Sequence, residues 1–384
     1  MVRRSSPGSR NSPDMRPEIE ALLRPDLRGG IPYGAPQLDV PVALNTNENS
    51  YAVPPAVVAE ITAAVEAIAS GLNRYPDREF TQLRQALAAY LSRGGTAVAP
   101  EQVWAGNGSN EVLLHLVQAF GGPGRVALGF TPAYSMHPII TTTTGTTWAD
   151  GMRGRRFDLD VASAVEQVRA HDPAIVFLCS PNNPTGTALG LEVIEAVHEA
   201  APRALVVVDE AYAEFARPGT PSALTLLAGR PRLVVTRTLS KAFALAGARL
   251  GYLAADPAVL DALRLVRMPY HLGAQTQAVA LAALRHADLM LATVDVIKAQ
   301  RDRIVEGVRE IGCDPVPSDA NFVLFGGLAD RAATWQGLLD RGVLVRDVGL
   351  DGYLRVTAGT PEETSAFLDA LAEVMAVQRQ GDQG

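Results

Sequence analysis

Short apolar runs alternate with amphipathic segments through the middle of the chain, from about Tyr75 to Tyr270. Four runs have the length and the β-branched content of strands, namely RVALGF, AIVFLC, ALVVVDE and RLVVTRT. Two other segments, SNEVLLHLVQAF and LEVIEAVHEAA, place their apolar residues on one helical face. Strands that alternate with helices favour a parallel sheet covered on both faces. The pattern predicts an α/β fold with a mostly parallel sheet flanked by helices.

The rest of the chain divides around this middle section. Residues 1–30 are basic and rich in Ser and Pro, and we expect a flexible tail there. Residues 31–70 carry turn residues without clear periodicity and are expected to form an N-terminal arm and part of a small domain. Residues 71–275 would be the large domain. Residues 276–384 predict a smaller α+β domain, with one long helical stretch, the strand-like runs NFVLFGG, GVLVRDVG and YLRVTAG, and a terminal helix.

Composition and charge narrow the classes of function. The 384 residues include 34 Lys and Arg against 41 Asp and Glu, so a basic surface that binds nucleic acid is not expected. Cys179 and Cys313 lack metal-type and redox spacing, which predicts buried free thiols and no metal. No secretory signal or membrane-spanning run is recognisable, which favours the cytoplasm. Translation starts at Met1 or Met15, and truncation to about Arg16 should be tolerated.

The loops after the strands carry the candidate chemistry, because ligands of open α/β sheets collect beyond the carboxyl ends of the strands. Asp209 ends the strand LVVVD, where a lone carboxylate is costly to bury, so a cationic partner is expected. Taken alone, this aspartate is equally compatible with a helix cap or an ion pair. Lys241 follows another buried-type strand. Desolvation and the charges of Arg237 and Arg249 would favour its neutral amine, the form that attacks an aldehyde.

Two further features suit a phosphate group. Arg249 offers a guanidinium fork, and Thr238 and Ser240 offer hydroxyls. The glycine-rich loop of residues 106–111 opens an amphipathic helix, whose free amides and dipole attract an anion. Each feature alone has an ordinary structural explanation, such as a surface salt bridge. Their combination with Lys241 favours a phosphate-binding site.

Three motifs, in their order and separation, resemble those of the fold-type I aminotransferases. They are SPNNPTG, which follows the strand AIVFLC, then VDEAY, and then TLSKAFALAGARLGY. Two prolines stiffen the first motif and its asparagine amides offer hydrogen-bond donors, although a tight turn would also explain it. The resemblance runs from about Ile31 to the C-terminal helix. It implies an enzyme of fold type I that transfers amino groups and depends on pyridoxal 5′-phosphate.

The resemblance assigns roles around the cofactor ring. Lys241 would bind the cofactor covalently and then move a proton between the substrate Cα and the cofactor. Asp209 would keep the pyridine nitrogen protonated. Tyr212 and Asn183 would hydrogen-bond the phenolic oxygen, and Tyr134 would stack on the ring unless it belongs to an aromatic core. Lys241, Asp209 and Tyr212 are the implied catalytic residues.

The resemblance also implies a phosphate site that two subunits share. One subunit would contribute Ser109, Asn110, Glu111, Thr238, Ser240 and Arg249. Tyr75, in NRYPD, matches a tyrosine that reaches across from the partner subunit. Neither subunit could then complete the pocket alone, so an obligate homodimer is implied.

Within this superfamily, the segments IPYGAP, LNTNENSY, MPYHLG and SDANFVLF are most similar to those of the histidinol-phosphate aminotransferases, particularly the actinobacterial ones. Those enzymes exchange an amino group between L-histidinol phosphate and 2-oxoglutarate in histidine biosynthesis, giving imidazole acetol phosphate and L-glutamate. Ser50 stands where that family usually has proline, a change that loosens a turn and leaves the chemistry untouched.

The same similarity implies which residues recognise the substrate. Arg355, in YLRVTAGT, matches the arginine that binds the anionic group of the substrate. Tyr33 would come from the arm of the partner subunit, and Asn47 and Asn183 would lie at the edge of the site. Arg346 would either add a second positive charge or form an ion pair with a neighbouring aspartate, Asp347 or Asp351.

Three other functions stay open. An aromatic-amino-acid aminotransferase shares all of these cofactor residues and differs only in the lining of the substrate side. A pyridoxal-phosphate-dependent decarboxylase of the same fold would release carbon dioxide. A ligand sensor fused to a DNA-binding module is disfavoured, because the roughly 30 residues before the arm are too few for a winged helix.

Overall fold

The computed structural model describes residues 16–30 and 32–381. The alternative start at Met15 and the segment before it lie outside the described residues. The chain forms two compact units, which meet in sequence after Asp39. In the first unit, Pro17–Glu20 form the short helix α1 and Pro25–Leu27 form one 3₁₀ turn. The expected tail therefore contains two helical turns, and the domain boundaries given above stay a prediction.

The second unit contains the remaining helices and all strands of the described residues. Its helices are α2 (Pro55–Ala69), α3 (Thr81–Ser92), α4 (Ser109–Phe120), α5 (Met136–Thr143), α6 (Val161–His171), α7 (Leu191–Ala200), α8 (Pro257–Val266), α9 (Ala274–Arg285), α10 (Ala287–Leu291), α11 (Val294–Glu310), α12 (Arg331–Asp340) and α13 (Pro361–Gly381). Its strands are β1 (Val42–Ala43), β2 (Val103–Asn107), β3 (Val126–Thr131), β4 (Thr147–Met152), β5 (Ile175–Cys179), β6 (Leu205–Asp209), β7 (Leu233–Thr238), β8 (Leu250–Ala255), β9 (Asp314–Pro315), β10 (Phe322–Gly326), β11 (Val343–Leu344) and β12 (Leu354–Thr357).

A seven-stranded sheet forms the centre of this unit, in the order β2-β8-β7-β6-β5-β3-β4. The pairs from β4 to β7 are parallel, whereas β8 runs antiparallel to both of its neighbours. Every residue of β5 and β6 is buried, which is why these strands read as continuous apolar runs and not as alternating ones. The prediction of a mostly parallel sheet flanked by helices is confirmed.

A smaller set of strands lies in the C-terminal part of the unit. Strands β12, β10 and β9 form an antiparallel sheet, and β1 pairs in parallel with β11. The helical stretch predicted between Thr276 and Ile311 is divided into α9, α10 and α11. Neither glycine nor proline marks the breaks. They arise because α9 packs against α2 and α3, whereas α11 packs against α13 and β10.

Two apolar cores meet where the candidate residues lie. The larger core covers both faces of the seven-stranded sheet, and the smaller one lies around the antiparallel sheet and includes Tyr212, Phe215 and Ala242. Cys179 and Cys313 are buried free thiols. Within residues 16–30 and 32–381, no helix combines the length and the apolar character needed to cross a membrane.

Candidate active site

Three adjacent parallel strands bring the predicted motifs to one edge of the central sheet. Cys179 at the end of β5 is in register with Asp209 at the end of β6, and Asp209 is in register with Thr236 of β7. The loops that follow these strands carry SPNNPTG, VDEAY and the Lys241 motif. The carboxyl ends of parallel strands meet at one edge, so the three motifs lie side by side there, and their assignment to one functional site stays a prediction.

Asp209 is buried and its carboxylate is held from three sides. Its Oδ2 lies 3.1 Å from Nε2 of His137, and its Oδ1 accepts hydrogen bonds from Oγ1 of Thr236 at 3.2 Å and from the amide of Ala211 at 3.3 Å. His137 was not identified from the sequence as a hydrogen-bond partner of Asp209. The only signal was its position three residues after Tyr134, in the first turn of α5.

A network of buried amides surrounds the hydroxyl of Tyr212. It accepts a hydrogen bond from Nδ2 of Asn47 at 3.0 Å and another from Nδ2 of Asn183 at 3.3 Å. Burial raises the pKa of Tyr212 well above its ordinary value, so the phenol keeps its proton at neutral pH and can donate it to a ligand oxygen. Asn47 and Asn183, predicted from separate motifs, thus meet at one hydroxyl.

Arg355 reaches this network from the antiparallel sheet. Its Nη1 donates to Oδ1 of Asn183 at 2.6 Å, and its Nη2 donates to the carbonyl of Asn45 at 2.9 Å. The guanidinium carbon also lies 5.1 Å from the centre of the Phe322 ring. Arg355 as a whole residue is only 7% exposed, so its guanidinium is held in a fixed orientation.

Lys241 is partly buried, and its Nζ donates to the carbonyl of Thr46 at 3.0 Å. Burial first, and then the charge of Arg355, lower the pKa of this lysine to about 8. Glu48 opposes the shift and Arg249 adds to it. A substantial fraction of the amine is therefore neutral near physiological pH, as nucleophilic attack requires.

Arg237 does not supply the cationic field that the sequence suggested. Its guanidinium pairs with Oε2 of Glu210 at 2.8 Å and lies 3.6 Å from Glu214, so two carboxylates neutralise its charge. Its proximity to Lys241 in sequence was misleading, because Lys241 lies in the loop beyond the end of β7, whereas the side chain of Arg237 faces Glu210 and Glu214. Arg355, which is distant in sequence, has the larger effect on the lysine.

The protein groups that were predicted to bind a phosphate lie together at the start of α4. Oγ1 of Thr238 donates to Oγ of Ser240 at 2.9 Å. A Cβ atom built on Gly108 would lie 2.5 Å from Nη2 of Arg249, and Gly108 has a φ of +86°. Only glycine lets this backbone approach the guanidinium so closely. Oγ1 of Thr238 is also within hydrogen-bond distance of the carbonyl of Leu250, a residue bridged to Gly108, so the two hydroxyls and the guanidinium lie near the amides that begin this helix of 12 residues.

The other residues of the glycine-rich loop have more local contacts. Oδ1 of Asn110 accepts a hydrogen bond from the hydroxyl of Tyr134 at 3.2 Å. The carboxylate of Glu111 accepts from the backbone and side-chain amides of Asn107 at 2.6 and 2.9 Å. Glu111 therefore holds the loop in shape, and Ser109 is the first residue of α4. The assignment of Glu111 as a cofactor ligand stays a prediction.

Three further predicted residues come from other segments of the chain. Tyr75 is 80% exposed and stacks on Tyr270, with ring centres 4.4 Å apart. Tyr33 belongs to the N-terminal unit, where half of it is exposed. The backbone of Arg346 is bridged to that of Arg355. The neighbouring Asp347 and Asp351 lie 3.4 and 3.9 Å from Arg331.

The donor set of this site fits pyridoxal 5′-phosphate. A lysine with a lowered pKa suits the aldehyde, the buried Asp209 suits a protonated pyridine nitrogen, and Tyr212 with Asn183 suits a phenolic oxygen. The glycine cradle beside Arg249 suits the phosphate. Arg355 then remains for an anionic group on the substrate.

Comparison with known proteins agrees with this chemistry. Residues 40–371 match the sequence model of the family described as aminotransferase class I and II. The chain is 62% identical to the histidinol-phosphate aminotransferase of Paenarthrobacter aurescens over 94% of its own length and 98% of that protein. It is 60% identical to the enzyme of the same name from Thermobifida fusca, over 91% and 94%. The crystal structure of histidinol-phosphate aminotransferase from Sinorhizobium meliloti in complex with pyridoxal-5′-phosphate is similar with a TM-score of 0.78 at 26% identity, over 88% of this chain and 92% of that one.

Proposed function

The chain belongs to the class I and II aminotransferases, and on that premise we propose that it exchanges an amino group between L-histidinol phosphate and 2-oxoglutarate. The products are imidazole acetol phosphate and L-glutamate, as in L-histidine biosynthesis. Relatives of this name, with 60% identity or more over most of the chain, support the proposal. The runner-up, an aromatic-amino-acid aminotransferase, would use the same cofactor residues.

The observation that carries the substrate assignment is a pair of arginines, Arg355 on β12 and Arg346 just after β11. Arg355 is held by Asn183 and by the carbonyl of Asn45. Arg346 is its direct backbone partner, exchanging two hydrogen bonds of 2.9 and 3.0 Å with it. Directly opposed residues of an antiparallel pair project to the same face. Two guanidinium groups on one face favour a doubly charged phosphate ester, and they also bind the carboxylate of 2-oxoglutarate.

We infer that Lys241 is both the nucleophile and the proton carrier. When bound, pyridoxal 5′-phosphate supplies an aldehyde that receives the amino group and a ring that delocalises the electron pair left at the substrate Cα. Lys241 acts first as a neutral amine, which its lowered pKa makes available. With the cofactor bound, the same amine would serve as the base that accepts the proton from the substrate Cα and as the acid that returns it. The carbonyl of Thr46 gives its amine a defined position.

Other residues hold the cofactor in place. Asp209 keeps the proton on the pyridine nitrogen, and His137 keeps the carboxylate oriented towards it. Tyr212 and Asn183 would donate to the phenolic oxygen of the cofactor, and Tyr134 would contact the ring. The phosphate would be bound by Ser109, Asn110, Thr238, Ser240 and Arg249, a set supported by the contacts at the start of α4.

We propose a homodimer in which each subunit completes the site of the other. Tyr75 is exposed and stacks on Tyr270, a position that suits a residue that binds the phosphate in the partner's site. Tyr33 on the arm of the partner would contact the substrate, and Asn47 would line its edge. The proposed ligands are the small-molecule substrates and the cofactor, and we expect binding to neither nucleic acid nor a membrane. The cytoplasm is the proposed location.

A single half-reaction tests the substrate. The purified holoenzyme is mixed in turn with L-histidinol phosphate and with L-phenylalanine, and the visible absorption band of the bound cofactor is followed. Fast loss of the band with histidinol phosphate and slow loss with phenylalanine is expected. The reverse order would make the protein an aromatic aminotransferase. Release of carbon dioxide would indicate a decarboxylase.

A further inference from the structure

The loop between α2 and α3 presents an exposed aromatic ring in a defined position. Tyr75 lies at the tip of this loop and is 80% exposed. Its ring stacks on that of Tyr270, at an interplanar angle of 10°. A loop residue with so much exposed surface is normally mobile. Tyr75 nevertheless has a defined position, which depends on the contacts of the loop that carries it.

A clamp of salt bridges and hydrogen bonds holds the loop, and its residues come from α8, α9 and the segment between them. Nη2 of Arg267 donates to Oε1 of Glu79 at 2.5 Å, and Nη1 of Arg267 donates to the carbonyl of Arg78 at 2.6 Å. Arg264 binds the other oxygen of Glu79 at 3.2 Å. Gln277 adds a bond of 3.1 Å to the carbonyl of Asp77. A guanidinium that binds both a side-chain carboxylate and a backbone carbonyl of the loop fixes the position of the loop backbone.

The clamp is itself anchored in the core. The guanidinium carbon of Arg267 lies 5.1 Å from the centre of the fully buried Trp104 ring, and the arginine side chain is only 7% exposed. Phe80, the last residue of the loop, packs edge-on against the same ring at 5.4 Å with a φ of 40°. A bulky residue in the left-handed region persists only where its surroundings impose it.

The surface under Tyr75 is fixed in the same way. Tyr270 has a φ of 56°, again in the left-handed region. The next residue, His271, contacts the carbonyl of Ala105 through Nε2 at 2.9 Å, and its own carbonyl accepts from Asn107 at 2.7 Å. Tyr75 thus stacks on a residue whose neighbour is hydrogen-bonded to β2, the strand that leads into the glycine-rich loop of residues 106–111.

We propose that Arg267 is a positioning residue for the shared site: through Glu79 and the carbonyl of Arg78 it holds Tyr75 where the cofactor phosphate of the partner subunit requires it. This inference rests on the proposed homodimer. A tyrosine that is already ordered before the subunits meet loses less conformational entropy on binding the phosphate. Loss of the clamp should therefore weaken cofactor binding without removing any group that touches the cofactor.

The test is a double-mutant cycle read out as the dissociation constant of pyridoxal 5′-phosphate from the apoenzyme dimer. Tyr75→Phe removes only the hydroxyl and keeps the stacked ring. Arg267→Ala should raise the dissociation constant about five- to tenfold when Tyr75 is present and less than about twofold in the Tyr75→Phe background. Light scattering verifies that each variant remains dimeric.

Two further variants keep the test decisive. Glu79→Gln removes the charge of the clamp with little change in shape, and it should show the same dependence on Tyr75 if Arg267→Ala folds poorly. Arg203→Ala, an exposed arginine paired with Asp172 at the opposite end of the sheet, should change nothing. An equal effect of Arg267→Ala in both backgrounds would overturn the positioning role alone. An unchanged dissociation constant for Tyr75→Phe would overturn the shared phosphate site and the positioning role with it.

Discussion

At the scale of single residues, the reactivity of Lys241 depends on its surroundings. Its pKa of about 8 lies below the ordinary 10.5, so the neutral amine accumulates as the pH rises through about 8. We expect the apoenzyme to bind pyridoxal 5′-phosphate covalently about tenfold faster at pH 9 than at pH 7, as the neutral fraction dictates. Stopped-flow absorbance measures this rate. The pH at which this rate is half-maximal should rise in Arg355→Ala, because the arginine lowers the pKa of Lys241. A half-maximal rate near pH 10.5 in the wild type would contradict a lowered pKa for Lys241.

Arg355 can be tested for substrate recognition. Arg355→Ala removes a buried cation from the anionic end of the substrate, so kcat/KM for L-histidinol phosphate should fall by the equivalent of about 2–5 kcal/mol. Steady-state kinetics give this value, and circular dichroism verifies the fold. Arg341→Ala is the control, because Arg341 pairs with Glu373 at the surface. An unchanged kcat/KM in Arg355→Ala would place recognition elsewhere.

Single residues also show where sequence reasoning succeeds and where it fails. Asp209 and Lys241 were recognisable because each ends or follows an apolar strand and belongs to a contiguous motif. His137 was missed because its contact with Asp209 joins residues 72 positions apart. Arg237 was misassigned for the converse reason, since it is close to Lys241 in sequence but its charge is taken by Glu210 and Glu214.

At the scale of elements, the start of α4 decides whether the phosphate fits. Gly108→Ala would place a Cβ 2.5 Å from Arg249 and strain a φ of +86°. The dissociation constant of pyridoxal 5′-phosphate should rise by about tenfold or more, on the scale of locally imposed backbone strain. Titration of the apoenzyme measures it. Gly95→Ala is a matched control, since Gly95 has a φ of +87° but open space around it. Equal affinities for the two variants would rule out the crowding argument.

The elements themselves were largely predictable. The predicted helix SNEVLLHLVQAF coincides with α4, and the four predicted strands are β3, β5, β6 and β7. The spacing of apolar residues that distinguishes a helix from a strand is a local property of the sequence. The division of one helical stretch into α9, α10 and α11 was not predictable, because its breaks follow from the different packing partners of its two ends.

At the scale of the whole molecule, the proposed shared site predicts complementation between inactive subunits. Lys241→Ala lacks the nucleophile, and Tyr75→Ala lacks the group given to the partner. In a mixed dimer, one site receives Lys241 from one subunit and Tyr75 from the other. Refolding the two variants together at equal amounts should restore about a quarter of the wild-type activity, as random pairing in a two-fold dimer requires. Activity no higher than that of the separate variants would contradict a shared site.

The sequence by itself determined the α/β class, the strand-end positions of the site, and the motifs of Lys241, Asp209 and Arg249, because these depend on local periodicity and on contiguous residues. Only the tertiary structure decided which groups act on them. The carbonyl that holds Lys241 comes from a residue 195 positions away, and the arginine that lowers its pKa comes from the antiparallel sheet. Such contacts depend on how distant segments pack together, and no local pattern records that packing.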